Sequence, residues 1–82
     1  MKRIIFYGAD WCGDCRVSKR FLDENSVAYD YVDSEIDLSA AGTIVEVSGR
    51  QNIPLLVFQD GSFLSEPSNA QLKAKLESLA IL

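Results

Sequence analysis

The only two cysteines of this chain stand two residues apart, in Trp11-Cys12-Gly13-Asp14-Cys15-Arg16, directly after the apolar run Ile4-Ile5-Phe6-Tyr7 and directly before a helical pattern. That junction constrains the fold more than anything else in the sequence. A helix that starts near Cys12 puts Cys15 one turn further on the same face, within bridging range. The unpaired N–H groups of its first turn would stabilise a thiolate at Cys12, and a thiolate is the form that attacks disulfides. A C-x-x-C between strand and helix therefore reads as a thiol–disulfide redox site. Zinc takes four ligands, or three plus water. With two Cys and no His, a metal would need carboxylates, a second chain or an external thiol, so no metal site is expected. A structural bridge closing so short a loop would remove little entropy from the unfolded chain.

At 82 residues the chain is read as one domain spanning residues 1–82. Hydrophobic content of 48% and charged content of 24% are ordinary for a soluble globular domain. A net charge of −4 argues against a nucleic-acid partner, which favours a basic face. No apolar run is long enough to span a membrane, and the one after Lys2-Arg3 is too short for a signal peptide. The expected location is cytoplasmic, where stable disulfides are rare and a C-x-x-C is catalytic more often than structural.

Residues 3–7 predict a strand buried on both faces. Gly8-Ala9-Asp10 breaks it, and 12–24 reads as a helix with Val17, Phe21 and Leu22 as its apolar side. Asn25-Ser26 ends that helix. Residues 27–33 are rich in strand formers, and two strands joined by a helix suggest a parallel crossover. A second helix is expected over 38–48, with Leu38, Ala41, Val45 and Ser48 near one stripe and Gly49 as its stop. Leu55–Phe58 predicts a buried strand, Asp60-Gly61 a two-residue hairpin turn, and Ser62-Phe63-Leu64 the return strand. Ser68 with Gln71 three later forms a capping box for a last helix carrying Leu72, Leu76 and Leu79. The order β-α-β-α-β-β-α gives an α/β fold with a four-stranded mixed sheet flanked by three helices, the layout of a minimal thioredoxin fold. Pro54 opens the third strand, where a missing N–H is tolerated.

These residues resemble the glutaredoxins, and among them the short actinobacterial mycoredoxins. The resemblance rests on Phe6-Tyr7 with Trp11-Cys12-Gly13-x-Cys15, on Val27-Ala28-Tyr29-Asp30-x-Val32-Asp33, on Ile53-Pro54, and on Phe58-x-Asp60-Gly61-Ser62 followed by Pro67-Ser68 and Leu72–Leu76. It covers nearly the whole chain. It implies Cys12 as nucleophile, Cys15 as resolving thiol, and a cis Pro54 facing them. It also implies that the Ile53 backbone pairs with the substrate. Ser68 and Asn69, at the start of the last helix, would receive a carboxylate of a low-molecular-weight thiol, which suits a helix N-terminus. Trp11, Gly13, Asp14 and Gln51 complete the expected substrate-binding set, with Trp11 exposed beside Cys12 and Tyr7 at the end of a buried strand.

The implied activity is reduction of protein disulfides, or of mixed disulfides with mycothiol or glutathione, by a monomer without a bound cofactor. Trp-Cys-Gly-x-Cys resembles the thioredoxin motif equally, so reduction by thioredoxin reductase is the alternative. Binding of an iron–sulfur cluster shared by two chains is a further one. The chain departs from many glutaredoxins in having Asp14 where an aromatic is common and Gln51 where a basic residue is common. Asp10 and Asp14 oppose a thiolate at Cys12, and Arg16 could offset them.

Overall fold

The computed structural model describes residues 4–82. Residue 3, the expected start of the first strand, lies outside the described residues. The chain runs β1 (Ile4–Gly8), α1 (Gly13–Glu24), β2 (Tyr29–Asp33), α2 (Ala40–Ser48), β3 (Leu55–Val57), β4 (Phe63–Ser65), α3 (Asn69–Ser78). The four strands form one mixed sheet in the order β2-β1-β3-β4, with β1 parallel to β2 and antiparallel to β3. This is the thioredoxin-type layout expected from the sequence.

Successive strand residues face opposite sides of a sheet, and both sides are covered here. On one side Phe6 and Leu56 join Leu22 of α1 and Leu72 and Leu76 of α3 in a single buried cluster. Leu55, fully buried, belongs to the other side with Ala40 and Ile44, the two buried residues of α2. A strand closed in on both faces cannot alternate polar and apolar residues. That is why β1 reads as an unbroken apolar run.

Three local expectations change. The buried face of α1 is Cys15, Ser18 and Leu22; Val17 is 54% exposed. Helix position is fixed by Cys15 packing under β1, which turns Val17 toward solvent. Likewise α2 buries Ala40 and Ile44, while Leu38 precedes the helix and is exposed and Ala41 and Val45 face outward. Docking against the sheet selects a face about one residue away from the stripe of largest side chains. The β3–β4 loop has three residues, not two. Val57 pairs with Phe63, Phe58 N–H bonds Ser62 O at 2.8 Å, and Gly61 N–H bonds Phe58 O at 3.0 Å. Gly61 takes φ +87°, the left-handed conformation that closes such a loop.

Other signals hold. Gly49 ends α2 at φ +82°, and Asn25 caps α1, followed by Ser26 at φ +56°. The Ser68–Gln71 box is complete: Ser68 Oγ accepts Gln71 N–H at 3.1 Å, and Gln71 Oε1 accepts Ser68 N–H at 2.8 Å.

Candidate active site

β1 delivers the chain into the loop Ala9–Trp11, and α1 leaves it at Gly13. Cys12 is the N-cap of α1, in extended conformation (φ −79°, ψ 116°). Its sulfur does what a Ser or Asp oxygen does at an ordinary N-cap: Sγ accepts the Cys15 backbone N–H at 3.3 Å. The Cys12 amide is itself bonded to Ala9 O at 3.1 Å, and its carbonyl accepts Arg16 N–H at 3.1 Å. The sulfur is thus held where the positive end of the helix dipole converges. Cys12 is 8% exposed and Cys15 0%, and both are free thiols.

Burial, then the hydrogen bond to Cys12, push the Cys15 thiol up to about 12, with the Cys12 and Asp14 charges adding to the rise and a backbone hydrogen bond from Ala9 opposing it. The two cysteines therefore differ in kind: Cys12 is at the rim of the helix start, and Cys15 is an enclosed thiol held protonated.

Gly8 is a site residue that the sequence reading treated only as a strand breaker. It is the last residue of β1, and a Cβ there would stand 3.0 Å from Cys15 Sγ, 2.9 Å from the Phe6 ring and 3.3 Å from the Tyr31 ring. Only a residue without a side chain lets Cys15 lie against the strand. A glycine inside an otherwise apolar strand was the available signal. Tyr31 is the other addition. Its ring packs against Phe6 at 5.5 Å, Lys19 Nζ lies 4.0 Å from its centroid, and its hydroxyl donates to Asp10 Oδ1 at 3.4 Å. Burial, then the Asp10 and Asp33 charges, raise its hydroxyl to about 12. Asp10 is thereby held to β2.

The Ile53–Pro54 peptide is cis. Extending the β1–β3 register by one residue sets Pro54 opposite Gly8, and Pro54 O accepts Glu66 N–H at 2.8 Å. Pro54 is buried and Ile53 half-buried.

The remaining expected residues divide between separate hollows. Trp11, Gln51 and Ile53 line a cleft of about 220 Å³ with Ser34, Glu35, Ala41 and Ile44. Asp14, Ser68 and Asn69 line another of about 420 Å³. Gly13 and Asn69 border a third, of about 430 Å³, with Arg16 and Arg20. Trp11 is 66% exposed, as expected; Tyr7 is half-buried. Ser34, Glu35, Ala41 and Ile44 were not expected at the site; they come from the β2–α2 loop and α2, and no local motif marks them. Ser68 has both its oxygen and its amide engaged in the α3 cap. Among the described residues no group of three or more His, Cys, Asp or Glu could hold a metal ion, and no helix is long and apolar enough to cross a membrane.

A buried thiol one turn after a capping cysteine, packed on a glycine strand end beside a cis proline, is an arrangement for thiol–disulfide exchange. Known proteins point the same way. A Mycobacterium tuberculosis protein assigned by name to the glutaredoxins is 40% identical over 78 residues, 94% of this chain and 93% of that protein. Mycoredoxin 1 of Corynebacterium glutamicum is 32% identical over 81 residues, 98% of this chain and all of that one. A crystal structure of a thioredoxin-like protein variant superposes with a TM-score of 0.81 at 27% identity, covering 90% of this chain and 99% of that one. The glutaredoxin family model matches residues 4–64, and the chain belongs to the glutaredoxin family, with the fold and cysteine pair of a glutaredoxin-like thiol–disulfide oxidoreductase.

Proposed function

We propose that this protein reduces protein disulfides, or mixed disulfides with mycothiol or glutathione, in the cytoplasm and as a monomer, with Cys12 as nucleophile and Cys15 as resolving thiol. The observation that carries the assignment is the N–H of Cys15 on Cys12 Sγ at the start of α1. Cys12 thiolate attacks one sulfur of the substrate disulfide; a new S–S bond forms at Cys12, and the other sulfur leaves as thiolate with the electron pair. Cys15 then loses its proton and attacks Cys12 Sγ. The substrate sulfur departs, and Cys12–Cys15 is left oxidised.

The raised Cys15 thiol fits that order. Part of what holds its proton is Cys12 itself, through a hydrogen bond and through charge. Once Cys12 is in a mixed disulfide, its share of that rise is removed, while burial, the largest cause, remains. In the shorter route Cys12 alone carries the small thiol, and a second small thiol regenerates it. Trp11, Gln51, Ile53 and Pro54 would meet one part of a bound thiol or substrate backbone, and Gly13, Asp14, Ser68 and Asn69, which line separate hollows, would meet another.

Intact-mass analysis tests the roles. After exposure to an oxidised small thiol, Cys15→Ser is expected to hold one adduct at Cys12, and Cys12→Ser none. Preferential adduct formation at Cys15 in the wild type would overturn the assignment. Likeness to a thioredoxin-like protein at 27% identity favours one second reading, direct reduction by thioredoxin reductase. Turnover with mycothiol, glutathione and that reductase, compared side by side, separates the two.

A further inference from the structure

Trp11 donates its indole N–H to Glu35 Oε1 at 3.0 Å. Both side chains belong to residues that line the 220 Å³ cleft, together with Gln51 and Ile53. Glu35 is anchored from behind. Its own N–H bonds Asp33 Oδ1 at 2.8 Å, and Ser34 is tied to Gly8 O through its N–H at 2.8 Å and its hydroxyl at 3.1 Å. The backbone that carries Glu35 is therefore tied down beside the loop that holds Cys12, and the indole N–H of Trp11 orients the carboxylate. A neutral indole donor orients it without cancelling its charge.

Among the described residues lining this cleft, Glu35 carries the one formal charge. The cations nearest in sequence are directed elsewhere. Arg50 adjoins Gln51, but its guanidinium reaches Ser65 Oγ at 3.5 Å. Arg16 borders the separate groove with Gly13 and Asn69. An anionic arm entering the cleft would meet a carboxylate with no cation in the lining to offset it, whereas a neutral or cationic arm would not be opposed.

We propose that Glu35 is a specificity-determining residue, and that it sets this site against disulfides whose arm beside Trp11 is anionic and in favour of neutral or cationic ones. The inference rests on the reading of Cys12 as nucleophile. The step it governs is the first exchange: the Cys12 sulfur forms a bond to one sulfur of R–S–S–R, that S–S bond breaks, and R–S⁻ leaves with the electron pair. Because Glu35 is exposed, the discrimination is a several-fold, salt-sensitive effect.

Three symmetric disulfides, each with two methylene groups between the sulfur and the end group, test it: cystamine, bis(2-hydroxyethyl) disulfide and dithiodipropionate. They are cationic, neutral and anionic. The rate of adduct formation at Cys12 is followed by mass spectrometry in a Cys15→Ser background, where the reaction stops at the mixed disulfide. Comparing variants by the dithiodipropionate-to-cystamine ratio cancels the leaving-group differences among probes. Glu35→Gln keeps an acceptor for Trp11 and removes the charge. It should raise that ratio about three- to tenfold at low salt, with the neutral probe in between and the change shrinking at high salt. Glu77→Gln, an exposed carboxylate in the last turn of α3, should leave the ratio unchanged. An unaltered ratio in Glu35→Gln, or an equal rise in Glu77→Gln, overturns this inference while leaving the oxidoreductase reading intact. Failure of Cys12 to react with any of the three probes sinks that reading and this inference together.

Discussion

At the start of α1 the extended N-cap is Cys12, whose sulfur accepts the amide of Cys15 at 3.3 Å. At the start of α3 the extended N-cap is Ser68, whose oxygen accepts the amide of Gln71 at 3.1 Å, while the Gln71 side chain takes up the Ser68 amide in return. The backbone problem is the same in both places: a first turn with orphan N–H groups. At α3 two side chains of the cap answer it reciprocally. At α1 a single sulfur, a weaker acceptor than a hydroxyl, stands at the dipole end. A hydroxyl cap serves only the helix; a sulfur cap leaves a thiol at the helix start. Under the proposed function, Cys12 would react because its capping atom can leave the cap and form a bond.

The strongest attempt to break this contrast is Cys12→Ser. Serine is a better N-cap than cysteine, so stability should hold or rise by up to ~1 kcal/mol. Disulfide reduction should fall by at least about 10³-fold, because the nucleophile is gone. Urea denaturation beside a turnover assay would show both; a large loss of stability would mean that the sulfur is needed for folding as well as for chemistry.

Gly8→Ala comes next. The added methyl meets Phe6 at 2.9 Å and Cys15 Sγ at 3.0 Å in a fully buried contact, so a destabilisation of about 1–3 kcal/mol is expected. An unchanged urea midpoint would show that Cys15 can move off β1 freely.

Ser68→Ala should cost ~1 kcal/mol through the lost cap and leave the rate of Cys12 alkylation by iodoacetamide unaltered. A parallel fall in alkylation rate would erase the division of labour between the two helix starts.

A pH dependence confined to alkaline conditions is the last test. The Cys15 thiol is raised from 9.0 to about 12 in the fold by burial and by Cys12. Between those values the unfolded chain has lost the proton and the native one keeps it. Its contribution to stability is thus complete below pH 9 and is lost as pH rises toward 12. Tyr29 and Tyr31, each raised from 10.0 to about 12, act in the same direction at a higher onset. Reduced Cys15→Ser should lose stability less steeply than wild type from pH 9 upward. Equal slopes would mean that Cys15 is more solvated than its full burial implies.

Much of the architecture could be read before folding was considered. A strand buried on both faces, a C-x-x-C and a helix follow from contiguous residues, because each depends on neighbours at fixed spacing. The Ser68–Gln71 cap and the Gly49 stop are equally local. What went astray were the faces. Val17 and Leu38 looked like core because they are large and apolar, but a helix buries whichever side its partner covers. Ser18, Ala40 and Gly8 are small, and small residues are chosen where backbones approach closely. The hairpin loop gained a residue because β3 and β4 pair in the register that the sheet demands, and that register leaves Gln59 outside the ladder.

The site follows the same division. The positions of the two cysteines, one at the N-cap of α1 and one a turn later, are determined by the sequence, since both follow from contiguous residues at helix spacing. The depth of Cys15 and the approach of Gly8 and Tyr31 were decided only when β2, β1 and β3 came together. So was the cleft that joins Trp11 to Glu35, 24 residues away. Bonds to near neighbours are written in spacing, whereas burial and long-range charge depend on which distant segments the sheet order places side by side.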